Sequence, residues 1–272
     1  MVAIDPLTLI DTERYPIQDL TDPRTIALAA ECRTGLDATG VAIVPGFLTP
    51  AAIGAIVAES EPLAAAGHHQ DIGGTPYLEL PEDHWPSDHP RLATGRSALT
   101  AIPYDDFVPG SPLRALYEWD ALMAFVALAL GKDHLYRYAD ALGALNVAAM
   151  ADGDELFWHF DQTDFVVSIA LQSSEAGGDF ECVSMTRTAD DERYPDVARV
   201  LAGDASESVT TIPMAPGTLM FFEGRHSLHR VTAIAGSTPR YVALLAYDTK
   251  PGTESSELLR LIRYGRAEAR TA

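Results

Sequence analysis

Strand-length apolar runs recur from residue 136 onward, turn residues separate them, and capped helical segments fill the chain before them. These observations predict an α+β, mainly β chain: a double-stranded β-helix (jelly roll, cupin-like) core buttressed by N-terminal helices. Thr21-Asp22-Pro23 places a cap before a Pro at the first helical position and predicts a helix to about Arg33, ahead of Gly35. The apolar run over 40–47, bounded by turn residues, predicts a buried strand. Thr49-Pro50 opens a second helix reaching about Ala65. Residues 68–112 are rich in Pro, His, Asp and Tyr and show no periodicity. A connection of that length is either functional or holds short elements. Ser111-Pro112 starts a third helix that ends near Gly131.

Eight strands are predicted next: Leu142–Ala149, Leu156–Phe160, Phe165–Leu171, Asp179–Ser184, Ser208–Pro213, Thr218–Phe222, Leu228–Ile234 and Arg240–Tyr247. Asp152-Gly153, Gly177-Gly178, Pro216-Gly217 and Gly236-Ser237 supply turns between them. Tyr194–Ala202 reads as an inserted helix and Glu254–Tyr264 as a C-terminal one. No repeat or linker divides the chain, so 1–272 reads as one domain. Its helical part covers about 1–135, its jelly-roll core about 136–250 and its final helix about 254–265.

An apolar content of 47% and a charged content of 21% suit a globular protein. A net charge of −20 repels nucleic acid and anionic membranes, so neither is an expected partner. The expected partner is a small molecule, and the chain is expected to be a monomer or homodimer. The acidity serves solubility or steers a cationic small molecule. Lys132 and Lys250 are the only lysines beside frequent arginines, a bias of GC-rich bacterial coding. Cys32 and Cys182, two and far apart, make no disulfide framework and fit a reducing compartment. The start Met1-Val2-Ala3-Ile4-Asp5-Pro6 lacks the features of a signal peptide. Ala121–Leu130 falls short of the ~20 residues a span needs. A cytoplasmic location is expected.

The chemistry concentrates in Trp158-His159-Phe160-Asp161, His229-Arg230-Val231 and Arg240. Residues i and i+2 of a strand share a face, so His159 and Asp161 project side by side. His229 follows after enough chain to cross to a facing sheet. Two imidazoles and a carboxylate can fill one face of an octahedral metal and leave three positions open, the pattern of non-haem Fe(II) oxygenases. Arg240 offers a planar fork for a carboxylate. An H-x-D pair alone is more often structural. Its strand setting after Asp152-Gly153, the distant His and the following Arg point to a metal site here.

On these residues the chain resembles the Fe(II)/2-oxoglutarate-dependent dioxygenases. The matching positions are Asn146, His159-Phe160-Asp161, Gly177-Gly178-Asp179-Phe180, Pro216-Gly217-Thr218-Leu219-Met220-Phe221, His229-Arg230-Val231 and Arg240, with the entry segment 40–50. The resemblance covers most of 38–250. More narrowly, Phe157-Trp158-His159-Phe160-Asp161 and the Gly-Gly-Asp-Phe segment are similar to the branch of carrier-free amino-acid halogenases and their hydroxylase relatives. The resemblance implies that His159, Asp161 and His229 hold Fe(II). It implies that Arg240 binds the distal carboxylate of 2-oxoglutarate, that Asn146 contacts this co-substrate, and that O2 is the other. His226 competes with His229, and the family's order of residues up to Arg240 favours His229. Met150 and Val242 stand where the family often has Tyr and Ser, which puts the auxiliary contacts to 2-oxoglutarate in question.

In halogenase members a small residue replaces the acid and chloride takes its place on the metal. With Asp161 present, the resemblance implies hydroxylation of a small polar molecule, a free amino acid or derivative, with 2-oxoglutarate decarboxylated to succinate. Desaturation or another oxidative outcome stays open. The alternatives are a cupin-like isomerase or hydrolase using Zn or Mn without 2-oxoglutarate, against which Arg240 speaks, and a non-catalytic binding module, against which the intact ligand set speaks. Trp158, Gln162, Arg96 and Tyr104 are candidate substrate contacts, with Tyr77 and Trp85 as wall or lid residues. Packing for Trp158 and a surface ion pair for Arg96 are the plain alternatives. Asp164 and Glu155 are candidates for meeting a cationic group or for solvated surface acids. His68, His69, His84 and His89 read as surface or lid residues.

Overall fold

The computed structural model describes residues 4–79 and 84–270. Its elements run α1 (Pro23–Thr39), β1 (Val41–Val44), α2 (Pro50–Ala66), β2 (His69–Gly74), β3 (Gly95–Pro103), α3 (Pro112–Glu118), α4 (Asp120–Ala129), β4 (Tyr136–Arg137), β5 (Leu145–Met150), β6 (Leu156–His159) and β7 (Val166–Gln172). They continue with β8 (Phe180–Val183), α5 (Tyr194–Ala202), β9 (Thr210–Ile212), β10 (Leu219–Phe222), β11 (Leu228–Val231), β12 (Arg240–Leu245), β13 (Tyr247–Asp248) and α6 (Glu257–Tyr264). All eight strands expected after residue 136 are present, most of them trimmed by a residue or more at one or both ends, as is the final helix.

The strands form an antiparallel sheet ordered β1-β10-β7-β12-β5-β3-β6-β11-β8-β9, with β2 also on β3. The sheet curls into two facing leaves, and β3 joins them. Its Thr100–Pro103 half pairs with β5, while Ser97 pairs with Leu156 of β6. The jelly roll expected from the sequence is therefore observed, with three of its strands drawn from before residue 136.

Alternation along the strands separates two cores. Leu145, Val147 and Ala149 of β5 and Tyr241, Ala243 and Leu245 of β12 pack outward against the helices, with Ile56, Phe125 and Phe221. Ala148, Met150, Met220, Phe222 and Phe180 face inward between the leaves. A fully buried side chain such as Phe125 or Phe221, each at 0% exposure, contributes roughly 1.5–3 kcal/mol. A third cluster lies outside the smaller leaf, where Val197 and Val200 of α5 cover Trp158, Phe160 and Leu228.

Three expectations change. The first helix does not stop before Gly35 but runs to Thr39, and Gly40 closes it in the left-handed region at φ 69°. Gly35 is there for close approach: a Cβ would meet the Val41 carbonyl oxygen at 2.8 Å where β1 turns back along the helix. The third helix is two, broken at Trp119, whose backbone is extended. The irregular stretch 68–112 contains the β2–β3 pair, whose Gly and charged residues hide the strand alternation. Among the described residues no helix is long and apolar enough to cross a membrane.

Candidate metal centre

His159 closes β6 and His229 lies directly opposite it on β11. Their rings are 4.2 Å apart between centroids. Asp161 sits just beyond the strand end, where its N–H donates to the Gly224 carbonyl at 3.0 Å and the neighbouring Phe160 N–H donates to Pro76 at 2.8 Å. Its carboxylate faces both imidazoles, Oδ1 at 3.9 Å from Nε2 of His159 and Oδ2 at 3.5 Å from Nε2 of His229. One ligand atom from each of the three lies within 4.8 Å of the others, and among the described residues no other His, Cys, Asp or Glu group does this.

The protein prepares both imidazoles as ligands. Nδ1 of His159 is 2.7 Å from the Phe157 carbonyl and Nδ1 of His229 is 3.0 Å from the Ser227 carbonyl. A carbonyl only accepts, so each Nδ1 carries the proton and each Nε2 keeps its lone pair for the centre. Burial first, and then the neighbouring His229, pull the His159 pKa down from 6.5 to about 4, so the ring is neutral at physiological pH. Phe222 and Phe180 wall His229 at 4.8 and 5.6 Å between ring centroids. His226 stands outside the cluster, in the turn before β11, with its Nδ1 buried and without a hydrogen-bond partner among the described residues.

Gly224 is a site residue that the sequence reading missed. A Cβ there would lie 1.7 Å from Oδ2 of Asp161. The only sequence signal is a lone Gly five residues ahead of His229, which turn chemistry also explains.

Arg240 opens β12 opposite Met150 and is 8% exposed. Its nearest polar contact is the Met150 sulfur at 4.0 Å, and no carboxylate lies within ion-pair range among the described residues. Burial pulls its pKa down to about 10, opposed by the exposed Asp179. A buried guanidinium without a counter-ion is costly unless an anion joins it, so this pocket fits a ligand carboxylate. Gly178 makes the room, since a Cβ there would come within 2.9 Å of the Arg240 side chain. Asn146 lies on the same inner face, in a row that runs across β5, β12, β7 and β10 as Asn146, Leu244, Ser168 and Met220. Asn146 Oδ1 and Ser168 Oγ are buried without a hydrogen-bond partner among the described residues. Ser168 was not legible as a site residue, because one hydroxyl in an apolar strand is ordinary.

The four candidate substrate contacts fare differently. Trp158 points to the opposite face from its neighbour His159. There it is buried with Tyr77, Val197 and Leu228 under the Arg230 guanidinium, 4.7 Å above its ring. Gln162 is exposed, and its carbonyl accepts from Arg225. Arg96 makes a two-pronged ion pair with Asp71, both contacts 3.0 Å, across β2 and β3. Tyr104 packs on the helix-side core and donates to Glu118. Tyr77 and Trp85 lie against Tyr194 of α5, and Tyr77 also against Phe160 at 5.5 Å, so this segment flanks the ligand strand from outside. His89 stacks on Trp85 and His69 meets Asp154 at 2.9 Å. Asp164 is tied to Arg225 at 2.6 Å.

A family model described as Halogenase D matches residues 99–258. Curated proteins offer no match to this chain. Among solved structures, an oxidoreductase of the 2OG-Fe(II) oxygenase family from Burkholderia pseudomallei is 14% identical, with 83% of this chain and 92% of that one covered at a TM-score of 0.50. The non-heme alpha ketoglutarate dependent carbocyclase SnoK from nogalamycin biosynthesis is 14% identical, with 94% and 95% covered at 0.55. The epimerase SnoN, in complex with Fe3+, alpha ketoglutarate and nogalamycin RO, is 17% identical, with 86% and 93% covered at 0.53. At these identities the likeness is one of fold.

Proposed function

The chain belongs to the Halogenase D family of Fe(II)/2-oxoglutarate-dependent oxygenases, and on that premise we propose that it is a hydroxylase of a small polar molecule, a free amino acid or a derivative, turning 2-oxoglutarate into succinate. The observation that carries the hydroxylase reading is Asp161. Its carboxylate faces both imidazoles at 3.5 and 3.9 Å, where a small residue would leave room for a halide.

In this reading His159, Asp161 and His229 would hold Fe(II) through Nε2, a carboxylate oxygen and Nε2. Bound with 2-oxoglutarate and O2, the metal supplies the oxidation of a C–H bond. The rest is the work of the chain. The Phe157 and Ser227 carbonyls keep both rings in the ligating tautomer. Arg240 receives the distal carboxylate of 2-oxoglutarate, which gives its buried charge a partner. Asn146 and Ser168 offer hydrogen bonds to whatever lies on Leu244 between them. Phe180 and Phe222 keep water from one side of His229.

Fe(II) and 2-oxoglutarate added without oxygen should give the weak visible charge-transfer band of the chelate. Absence of the band, or its survival in both Asp161→Ala and Arg240→Ala, overturns the reading. A screen of free amino acids in the presence of chloride, followed by succinate release and product mass, separates the outcomes. Gain of one oxygen supports hydroxylation and gain of chlorine refutes it.

A further inference from the structure

Of the three candidate ligands, Asp161 is the one that no strand carries, since β6 ends at His159 and β11 holds His229. A turn sets its place instead. Besides the Asp161 N–H on the Gly224 carbonyl, the Gln162 carbonyl accepts from Arg225, and Asp164 pairs with the same guanidinium at 2.6 Å. All three contacts lead to the turn at 223–227, between β10 and β11. The Asp161 carboxylate is therefore no better placed than that turn.

The turn is held from behind. The loop between β8 and α5 bends at Met185, a non-glycine residue in the left-handed region at φ 48°. The bend lays residues 185–187 along residues 225–228. The Met185 N–H donates to Ser227 Oγ at 3.1 Å, the Leu228 N–H to Thr186 Oγ1 at 3.3 Å and the Arg187 N–H to the His226 carbonyl at 3.1 Å. Arg187 then adds its side chain. Its Nε donates to the Arg225 carbonyl at 2.7 Å, while its guanidinium carbon stands 4.1 Å from the ring centroid of Phe160, the residue between His159 and Asp161. One planar group thus grips the turn along its edge and the ligand segment along its face, which a guanidinium can do and an ammonium cannot. Glu192 accepts from Nη1 at 2.9 Å and balances the charge, and the side chain is 15% exposed. Arg91 supplies the comparison. It also donates to Glu192, at 3.4 Å, and also lies over Tyr77, at 4.4 Å against 5.6 Å for Arg187. Its described contacts include nothing in the turn or in residues 159–164.

We propose that Arg187 is a positioning residue of the metal centre: by holding the Arg225 carbonyl and the Phe160 ring together, it fixes where the Asp161 carboxylate stands. This rests on the metal-centre reading above. A side chain that merely fastened a loop would change stability and leave the metal alone.

The test is anaerobic Fe(II) titration of the full chain, with Co(II) as a visible probe of the ligand set and thermal midpoints measured in parallel. Arg187→Met keeps an unbranched stem over Phe160 and deletes the guanidinium. It should bind Fe(II) about 10-fold or more weakly, and its Co(II) spectrum should move toward that of Asp161→Ala. In the Asp161→Ala background the same change should cost no more than about 2-fold, because its effect runs through that carboxylate. Arg187→Lys keeps the charge but cannot reach both partners, so its affinity should fall between those of wild type and Arg187→Met. Arg91→Met should stay within about 2-fold of wild-type Fe(II) affinity, whatever it costs in thermal midpoint. Phe160→Leu leaves the hydrogen bonds of Arg187 in place and should weaken Fe(II) binding in the same direction, which covers an Arg187→Met that does not fold. The proposal is overturned by wild-type Fe(II) affinity in Arg187→Met, or in Phe160→Leu where the former does not fold. Full affinity in Arg187→Lys, an equal loss with and without Asp161, or an equal loss in Arg91→Met overturns it too. A wild type that binds no Fe(II) overturns instead the metal-centre reading.

Discussion

Gly224→Ala is the sharpest perturbation the site offers, because it displaces a candidate ligand without replacing one. The added Cβ would stand 1.7 Å from Oδ2, 2.6 Å from Cγ and 3.0 Å from Cβ of Asp161. Turning the carboxylate about its own axis relieves only the first of these. The group must retreat by at least about 1.3 Å to restore a tolerable contact, since real Cβ atoms essentially never approach closer than 3.0 Å. Metal sites tolerate ligand displacements of about 0.2 Å. Disturbing a partner outside the ligand set already costs about 10–100-fold in metal affinity, and here a ligand itself moves, so Fe(II) should bind at least about 100-fold more weakly. Anaerobic Fe(II) titration, followed by the chelate band with 2-oxoglutarate, measures this. The double variant with Asp161→Ala supplies the control, because Gly224→Ala should add little once the carboxylate is gone. Wild-type Fe(II) affinity in Gly224→Ala, or an equal loss in both backgrounds, refutes the reasoning.

Three further outcomes follow from the same geometry. Arg240→Met should abolish 2-oxoglutarate binding yet raise the thermal midpoint of the metal-free protein by several degrees, since burial of the unpaired guanidinium, with its pKa near 10, costs stability; an unchanged or lower midpoint contradicts this. His159 is held at about 4 against an ordinary 6.5, so the folded state resists its protonation. Metal-free protein should keep that stability above pH 6.5 and lose on the order of 3 kcal/mol as pH falls toward 4, a loss that His159→Gln should flatten in urea titrations. Trp158→Ala should cost about 3–5 kcal/mol of stability through lost packing, while Trp158→Phe should leave substrate KM near wild type; a large KM change in the latter would return Trp158 to the substrate pocket.

The ligand set was legible because its residue types are rare and its spacing is physical. His159 and Asp161 differ by the strand period, whereas His229, expected across on a facing sheet, stands on β11, the strand paired directly with β6. Arg240 was legible as a fork, though not as an unpaired one, since pairing is a property of the fold. The β2–β3 pair was hidden because Gly73, Gly74 and Gly95 and the ionic residues Asp71 and Arg96 mask the alternation that marks a strand. Trp158 misled for the opposite reason: adjacency to a ligand in sequence means opposite faces on a strand. Gly224 acts through proximity to Asp161 across distant segments, which no local pattern encodes.

The joining strand β3 has a consequence for any shortened form of this protein. The Halogenase D match begins at residue 99, inside β3, whereas the pairing to β6 uses Ser97 and the pairing to β2 extends back to Gly95. A chain cut at the matched boundary would keep the pairing of β3 to β5 but lose β2 and Ser97, leaving β3 and β6 each open on one side. Two unpaired edges would then face solvent beside the metal ligands, and such edges template association with other chains. The boundary suggested by family likeness and the boundary required to keep β3 and β6 paired are thus different places in the chain.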